Sequence, residues 1–309
     1  MDKKITRRDF LKTGLTLGAA TAFTMIGGKA ERLFAQDQGN RVPDLVAVRN
    51  GMPDAMFDRA IEAIGGMTRF VKRGNTVVVK PNIAWYGGPE TGANTNPLLV
   101  KRIIVHCFQA GARRVYVFDH SVSYWKSTYS QSGIEQAARE AGASVVPANS
   151  SHYYQKVRIP GASVLKSVDV HELILDCDVL INVPVLKHHS STRITIAMKN
   201  LLGVIWDRQF YHRNGLHQCI AEFCLFRKPD LNVVDAYRVI MRYGPPRARE
   251  EDIELKKTLL LSPDIVAVDT AASLIHGTRP QDINFIKYAA EENIGTMDLD
   301  SIKIERIVM

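Results

Sequence analysis

A lysine and two histidines close an apolar run near the middle of the chain. Residues 180–186, "LINVPVL", have the composition of a buried strand, and Lys187, His188 and His189 follow directly. A lysine can hold a carboxylate or phosphate, and a desolvated lysine becomes a base or a Schiff-base nucleophile. A histidine beside it can exchange protons near neutral pH. The pattern therefore predicts an anion-binding or acid–base site where this strand ends.

Three other predicted strands also end on ionisable or amide side chains. "VVVKPN" ends on Lys80 and Asn82, "VYVFD" on Asp119 and "LNVVD" on Asp235. The carboxyl ends of parallel strands meet at one edge of an open sheet, and ligands bind in the crevice outside them. We therefore expect these side chains to converge on one pocket.

The predicted pocket contains groups of three kinds. The residues expected to carry out chemistry combine amines, an imidazole and a carboxylate, and they are Lys80, Lys187, His189 and Asp235. The residues expected to bind the substrate are Asn82, Asp119, His188, Lys199 and Asn200. His217 is the candidate metal ligand, and it would act with one of the adjacent histidines and a carboxylate. The structural alternative is that the lysines only cover apolar surface with their stems.

A glycine-rich segment, residues 86–97, precedes a predicted helix with Asn96 as N-cap and Pro97 at its first position. The segment lacks the lysine of a P-loop and the GxGxxG pattern, so it does not specify a nucleotide. Free N–H groups at the start of a helix favour an anion. The segment is therefore either an anion cradle or a plain surface loop.

Short runs of Val, Ile and Leu alternate with helical patterns along the chain. Continuous apolar runs indicate strands that are buried on both faces, and their alternation with helices is typical of a doubly wound sheet. The predicted fold class is α/β, a mainly parallel, doubly wound open sheet with helices on both faces. Residues 36–309 are expected to form a single domain of this kind.

Residues 1–35 have the features of a twin-arginine export signal. Arg7 and Arg8 are adjacent, and an uncharged stretch of small and apolar residues follows at 13–28. This stretch is shorter and less apolar than the roughly 20 residues of a membrane span. The leader predicts interaction with the twin-arginine translocation machinery and a periplasmic or other extracytoplasmic location. Any membrane attachment would be through an uncleaved leader.

Much of the positive charge belongs to this leader. Seven of the 40 Lys and Arg residues and three of the 32 Asp and Glu residues lie in residues 1–35, so the net charge falls from +8 to +4 without them. The remaining chain has no long basic run with interleaved aromatic residues, and nucleic-acid binding is not predicted.

The ordered set of motifs resembles the Domain of Unknown Function 362 family. The motifs are "VVVKPN", "NTNP", "DVLINVPVLKHH", "MKNLLG", His217, "VVDA" and "SPDIVAVD". The resemblance names no activity. It implies a set of functional positions, which are Lys80, Asn82, Lys187, His188 or His189, Lys199, Asn200, His217, Asp235 and Asp269.

Many members of that family carry ferredoxin-type cysteine clusters, and this chain departs from the pattern. Its four cysteines form no C-x2-C-x2-C-x3-C run. We therefore expect an exported member without an intrinsic iron–sulfur cluster. The sequence specifies no other cofactor, and it leaves a divalent metal as an alternative. The cysteines are expected to be buried free thiols.

Two functions are compatible with these residues. The first is an exported enzyme that acts on a small anionic substrate, with lysines as the anion clamp and a His–Asp pair as acid and base. The alternative is a non-catalytic periplasmic protein that binds an anionic ligand or docks on a redox partner.

Overall fold

The Val- and Ile-rich runs form strands in the computed structural model, which describes residues 42–245 and 247–309. The predicted export signal lies outside the described residues. β-Branched side chains suit strands because they pack well on a pleated surface. The strands of the described residues, in chain order, are β1 (Leu45–Arg49), β2 (Thr76–Pro81), β3 (Arg114–Val117), β4 (Ser144–Val145), β5 (Tyr154–Arg158), β6 (Ser167–His171), β7 (Val179–Val183), β8 (Val185–His189), β9 (Arg193–Thr195), β10 (Leu231–Ile240), β11 (Ile253–Ser262) and β12 (Ile304–Val308).

Ten of these strands form one sheet that is mainly parallel, as predicted. The order across it is β12–β1–β11–β10–β7–β2–β3–β4, and β8 lies beside β10 with β9 at its other side. The strands from β10 to β4 run parallel to one another, whereas β11 is antiparallel to both β1 and β10. The neighbouring strands β7, β2 and β3 therefore end at the same edge of the sheet, which brings their following residues together.

Helices cover both faces of the sheet, which confirms the doubly wound architecture. The helices α1, α2 and α4 pack on one face, and α8, α9 and α10 pack on the other. Of the helices in the described residues, none has the length and apolar character needed to cross a bilayer. The helices are α1 (Pro53–Ala63), α2 (Pro97–Gln109), α3 (Trp125–Gln131), α4 (Ile134–Glu140), α5 (Glu172–Asp176), α6 (Ala197–Asn200), α7 (Arg208–Asn214), α8 (Leu216–Phe226), α9 (Ile265–His276) and α10 (Asn284–Glu291).

The core continues through both faces because successive strand residues point in opposite directions. In β2, Val77 and Val79 join the apolar cluster under α1 and α2, whereas Val78 joins the cluster under α8 and α9. A strand with apolar residues at every position is therefore required, as the continuous Val run predicted.

Two helices begin with side-chain caps, of which the sequence predicted Asn96. The Asn96 side chain accepts a hydrogen bond from the Leu98 N–H at 3.0 Å, and Pro97 is the first residue of α2. Asp264 caps α9 and accepts from the N–H groups of Val266 and Ala267 at 2.8 and 2.9 Å. Such side chains satisfy N–H groups that have no partner within the helix.

Three further segments form regular structure. Residues 152–167 contain β5 and the start of β6, which pair as an antiparallel hairpin. Residues 206–214 contain α7. The strand β11 begins at Ile253, and its partly exposed first half pairs with the end of β10.

The four cysteines are free thiols, as predicted. Cys107, Cys219 and Cys224 are buried, and Cys177 is half-buried. Burial raises the pKa of the Cys219 thiol to about 11, so it is protonated and unreactive near neutral pH. Cys107, Cys219 and Cys224 pack in the core, and Cys177 packs against it.

Candidate functional site

A cavity of about 350 Å³ opens where β2 and β3 end. Its volume lies near the lower end of the roughly 300–1,000 Å³ that small-molecule pockets occupy. The polar residues that line it come from segments far apart in the chain. Six of the predicted site residues are among them, namely Asn82, Asp119, Lys187, His189, Lys199 and Asn200.

Lys80 lies beneath the cavity and is fully buried. Its Nζ is 2.8 Å from Asp119 Oδ1, and it donates to Asn200 Oδ1 at 2.9 Å and to the carbonyl oxygen of Pro81 at 2.8 Å. An ammonium group has three N–H donors, and all three are used here. Burial lowers the pKa of Lys80, whereas the Asp119 carboxylate opposes this shift by stabilising the charge. Lys80 thus acts as a charged positioning residue for Asp119 and Asn200.

Lys187 reaches the cavity with two of its three donors used. Its Nζ donates to Asn82 Oδ1 at 2.7 Å and to the carbonyl oxygen of Ala93. Burial lowers its pKa well below the usual value, and the positive charge of Lys199 lowers it further.

Lys199 differs from the other two lysines because its Nζ has no acceptor. In residues 42–245 and 247–309, no group accepts a hydrogen bond from it or forms an ion pair with it. Burial lowers the pKa of Lys199 to about 8, and the charges of Arg208 and Lys80 add to the shift. This amine therefore titrates close to physiological pH.

The short helix α6, which carries Lys199 and Asn200, is held from below by Asp269. The N–H groups of Ala197 and Met198 donate to the Asp269 carboxylate at 2.7 and 3.1 Å. Burial raises the pKa of Asp269 to about 8, and these two donors oppose the shift. Asp269, which the family resemblance implies as a functional position, fixes the start of α6.

Buried asparagines connect the site across the sheet. Asn200 Oδ1 accepts from Lys80 and, at 3.0 Å, from Asn82 Nδ2. Asn200 Nδ2 donates to Asn182 Oδ1 at 2.9 Å, and Asn182 Nδ2 donates to Asn232 Oδ1 at 3.1 Å. Each amide must donate at one end and accept at the other, so every link fixes the orientation of the next. The floor of the cavity is therefore rigid.

Two histidines of the cavity wall are held in different tautomers. His189 Nδ1 accepts from the Ser191 N–H at 3.1 Å, which leaves Nε2–H as a donor. His120 Nδ1 lies 2.9 Å from the carbonyl oxygen of Ile205 and must donate to it, which leaves the Nε2 lone pair free. Burial lowers the pKa of both rings, that of His189 to about 3. The cavity thus has a neutral donor and a neutral acceptor.

Arg208 completes a positively charged wall, and the sequence analysis assigned it no role. Its Nη1 and Nη2 donate to the carbonyl oxygens of His120 and Ser121 at 2.8 and 2.9 Å. A guanidinium has five N–H donors, so three are left for a ligand. Arg208 and the neighbouring wall residue His212 both come from α7. The mixture of charged and aromatic residues in 206–215 was the available signal in the sequence.

Asp235 lies outside this cavity, contrary to the expected convergence. Its carboxylate accepts from the N–H groups of Asn96 and Tyr237 at 2.8 and 3.0 Å. The Asp235 carboxylate therefore fills the start of α2 from inside the protein. This is the helix start at which the glycine-rich segment suggested that an external anion binds. Burial raises the pKa of Asp235 to about 6.

His188 and His217 also lie away from the cavity wall. His188 Nδ1 accepts from the Gly244 N–H at 3.2 Å, and the His217 ring stacks on Phe285 with 5.9 Å between the centroids. No group of three or more His, Cys, Asp or Glu side chains is arranged to hold a metal ion within the described residues. The structure thus does not assemble the metal-ligand set that was expected around His217.

Gly203 covers the buried Lys80–Asp119 pair, and its replacement generates a prediction. A Cβ atom at this position would lie well inside van der Waals contact with Asp119 Oδ1 and Lys80 Nζ. We expect Gly203→Ala to separate the pair and to lower the free energy of unfolding by about 3–5 kcal/mol, as for other broken buried ion pairs. Urea denaturation measures this loss.

Gly88→Ala is the matched control. The φ of Gly88 is −78°, which any residue adopts, and the added Cβ would meet only the movable carboxylate of the exposed Glu90. We expect a change within about 0.5 kcal/mol, as at other surface positions. Equal stability of the two variants would contradict the role assigned to the buried pair.

Similar proteins and structures are known. A twin-arginine translocation signal sequence matches residues 4–24, which shows that the chain is exported by that pathway. A thylakoid-associated protein of Synechocystis sp. is 24% identical over 243 residues, which cover 76% of this chain and 73% of that protein.

Two solved structures have a similar chain path. The lactate racemase apoprotein from Thermoanaerobacterium thermosaccharolyticum has a TM-score of 0.46 and 11% identity over 77% of this chain. A structural-genomics target from Thermotoga maritima has a TM-score of 0.44 and 13% identity over 73% of this chain. The similar region covers 58% of each of those two chains.

The family resemblance noted from the motifs is confirmed by a match that includes the strands and helices around the cavity. The match to the family described as Domain of unknown function (DUF362) covers residues 77–273, from β2 to α9. The chain belongs to the DUF362 family.

Proposed function

We propose that the protein is an exported enzyme that acts on a small anionic substrate. The supporting observation is an uncompensated cluster of cationic side chains in the cavity wall, made up of Lys187, Lys199 and Arg208. Among the described wall residues the carboxylate is that of Asp119, and Lys80 already neutralises it. The wall therefore carries a positive charge that a bound anion would balance.

The mutual effects of these groups support an anion as the ligand. Lys199 lowers the pKa of Lys187, and Arg208 lowers the pKa of Lys199, because neighbouring positive charges repel one another. A carboxylate or phosphate within a few ångströms would reverse this repulsion, and the attraction is strong because the site is largely shielded from water. A bound cation or neutral molecule would not offset the repulsion between these positive charges.

The tautomer of His120 favours an enzyme over a protein that only binds an anion. A carrier of anions needs donors, whereas the free Nε2 lone pair of His120 would repel the oxygen atoms of an anion. The same lone pair can remove a proton from a bound substrate, with protonated Lys199 as the opposite proton donor and His189 Nε2–H as a hydrogen-bond donor to the substrate. In this proposal the acid–base pair is therefore His120 with Lys199, and Asp235 takes no part.

Removal of one wall cation should weaken the binding of an anion. We expect phosphate and small carboxylates to raise the melting temperature of the full chain. Lys199→Met should weaken their affinity about tenfold or more, which corresponds to about 1.4 kcal/mol or more. Lys101→Met is the control, because Lys101 lies on α2 and pairs with Glu140 at the surface. Calorimetric titration at low ionic strength measures both affinities.

The affinity should also depend on pH through Lys199. An anion binds best to the protonated amine, so the affinity should be full below pH 8, the approximate pKa of Lys199, and fall above it. The fall should reach up to about tenfold per pH unit until the higher pKa of the complex is passed. The charged and titratable groups around this amine are Lys80, Lys187, His189, Arg208, His212 and His217.

Titration of Lys199→Met at the same pH values isolates this contribution. His189, with a pKa of about 3, does not titrate in the range. The variant should therefore show a flatter profile between pH 7 and 9. A flat profile in the unmodified protein would count against the placement of the anion beside Lys199.

Loss of the proposed base should lower turnover and spare binding. His120→Asn keeps a donor near Nδ1 for the Ile205 carbonyl group and removes the Nε2 lone pair. Once NMR screening of small acids has identified a substrate, we expect kcat to fall about 10²- to 10⁴-fold with the dissociation constant nearly unchanged. His152→Asn, at an exposed histidine, is the control.

Three outcomes separate this proposal from its alternatives. Tight binding of anions without any turnover would support the non-catalytic binding protein. Unchanged binding and turnover in Lys187→Ala and His189→Ala would contradict the assignment of the site. Elemental analysis of protein folded in its native host tests a metal-dependent form of the reaction.

A further inference from the structure

We propose that Lys199 is a covalent nucleophile that forms a Schiff base with the carbonyl group of a small 2-oxo acid. This inference rests on the proposed function, because the carboxylate of such an acid is the anion for which the cavity is suited. It adds the substrate class and assigns a covalent step to one lysine.

The hydrogen bonds of the three lysines distinguish Lys199 from the others. Lys80 Nζ has three acceptors and Lys187 Nζ has two, whereas the nitrogen of a protonated imine keeps a single N–H, so a Schiff base at either amine would break bonds that hold the site together. Within the described residues, Lys199 Nζ has no acceptor and lies at the cavity wall. It can therefore lose a proton and present its lone pair without disturbing the site.

The backbone that carries Lys199 is rigid, which a nucleophile requires. The preceding residues Ala197 and Met198 are bonded to the buried Asp269 carboxylate. The following residue, Asn200, accepts from Lys80 and Asn82 through its side chain. The amine is thus attached to a fixed support while its own end stays free.

The electrostatic surroundings make the neutral amine available. Burial and the charges of Arg208 and Lys80 bring the pKa of Lys199 to about 8. Roughly a tenth of the amine is then uncharged at pH 7, against less than a thousandth for an exposed lysine. Desolvation next to other cations is an established way to activate a lysine for imine formation.

The remaining groups of the cavity suit the other atoms of a 2-oxo acid. Arg208 keeps three N–H donors after it has bonded two carbonyl groups, and a guanidinium binds a carboxylate in a bidentate manner. His189 Nε2–H can donate to the carbonyl oxygen, which makes the carbonyl carbon more electrophilic. His120 Nε2 can take up and return protons.

The reaction balances without an oxidant or a reductant. The Lys199 lone pair forms a bond to the carbonyl carbon, the C=O π pair moves to oxygen, and that oxygen takes a proton from solvent while His189 Nε2–H donates a hydrogen bond to it. The nitrogen then gives a proton to His120 Nε2, and this proton leaves with the hydroxyl group as water when the C=N bond forms. The products are one protonated imine and one water molecule. The imine withdraws electrons from the C–H bond of the adjacent carbon and so makes that proton acidic.

Borohydride reduction of the full chain tests the inference. The protein is incubated with glyoxylate or pyruvate and sodium borohydride, which reduces an imine to a stable secondary amine, and peptide mass mapping locates the adduct. We expect the adduct on Lys199 at a level at least tenfold above that on Lys101. Propionate, which has no keto group, should protect Lys199 and form no adduct.

Lys199→Arg separates the covalent step from anion binding. The variant keeps a positive charge at the position but cannot form an imine, so phosphate affinity should change only a few-fold while the adduct disappears. Lys101→Arg should label like the unmodified protein.

The possible failures are distinguishable. Stabilisation by phosphate without an adduct on Lys199, or with the adduct on Lys187 instead, would overturn the covalent role and leave the proposed function standing. Absence of stabilisation by every anion would contradict the proposed function as well.

Discussion

The buried ion pair of Lys80 and Asp119 is the interaction on which the rest of the site depends. Two charges that leave water are tolerated only when they are paired and fully hydrogen-bonded. Lys80 meets this condition through Asn200, and Asp119 does so through its second oxygen, which accepts from the Ile83 N–H at 2.6 Å. The pair joins the ends of β2 and β3 to the end of α6 through Asn200. Gly203 passes directly over it because no larger residue fits there.

The chemistry of the cavity follows from this pair. Because Asp119 is neutralised internally, it does not balance the charge of Lys199 and Arg208 in the wall. The hydrogen bonds that hold the floor leave few donors free, and those that are left in the wall include donors of Lys187, Lys199 and Arg208. Rigid support beneath free cationic groups is the arrangement that preorganised electrostatic stabilisation requires. The hydrogen bonds and the ion pair that stabilise the floor of the cavity thus also leave the cationic groups of its wall available to a ligand.

The sequence by itself determined the features that depend on local chemistry and periodicity. Continuous Val and Ile runs predicted strands buried on both faces, and their alternation with helices predicted the α/β sheet that is observed. Asn96 marked a helix start because its short polar side chain reaches an N–H group only two residues away. Lys187 and His189, which the sequence analysis expected at a pocket from their strand-end position, line the cavity.

Only the tertiary structure decided which polar groups are free and which are used by the protein itself. Asp235 and Lys80 looked similar to Lys199 in sequence, yet their acceptors and donors come from residues far away in the chain, such as Asn96 and Asp119. Arg208 entered the wall because its segment folds into a helix against the strand ends. The physical reason is that hydrogen bonding, burial and charge repulsion depend on distances between remote segments, and local composition does not contain those distances.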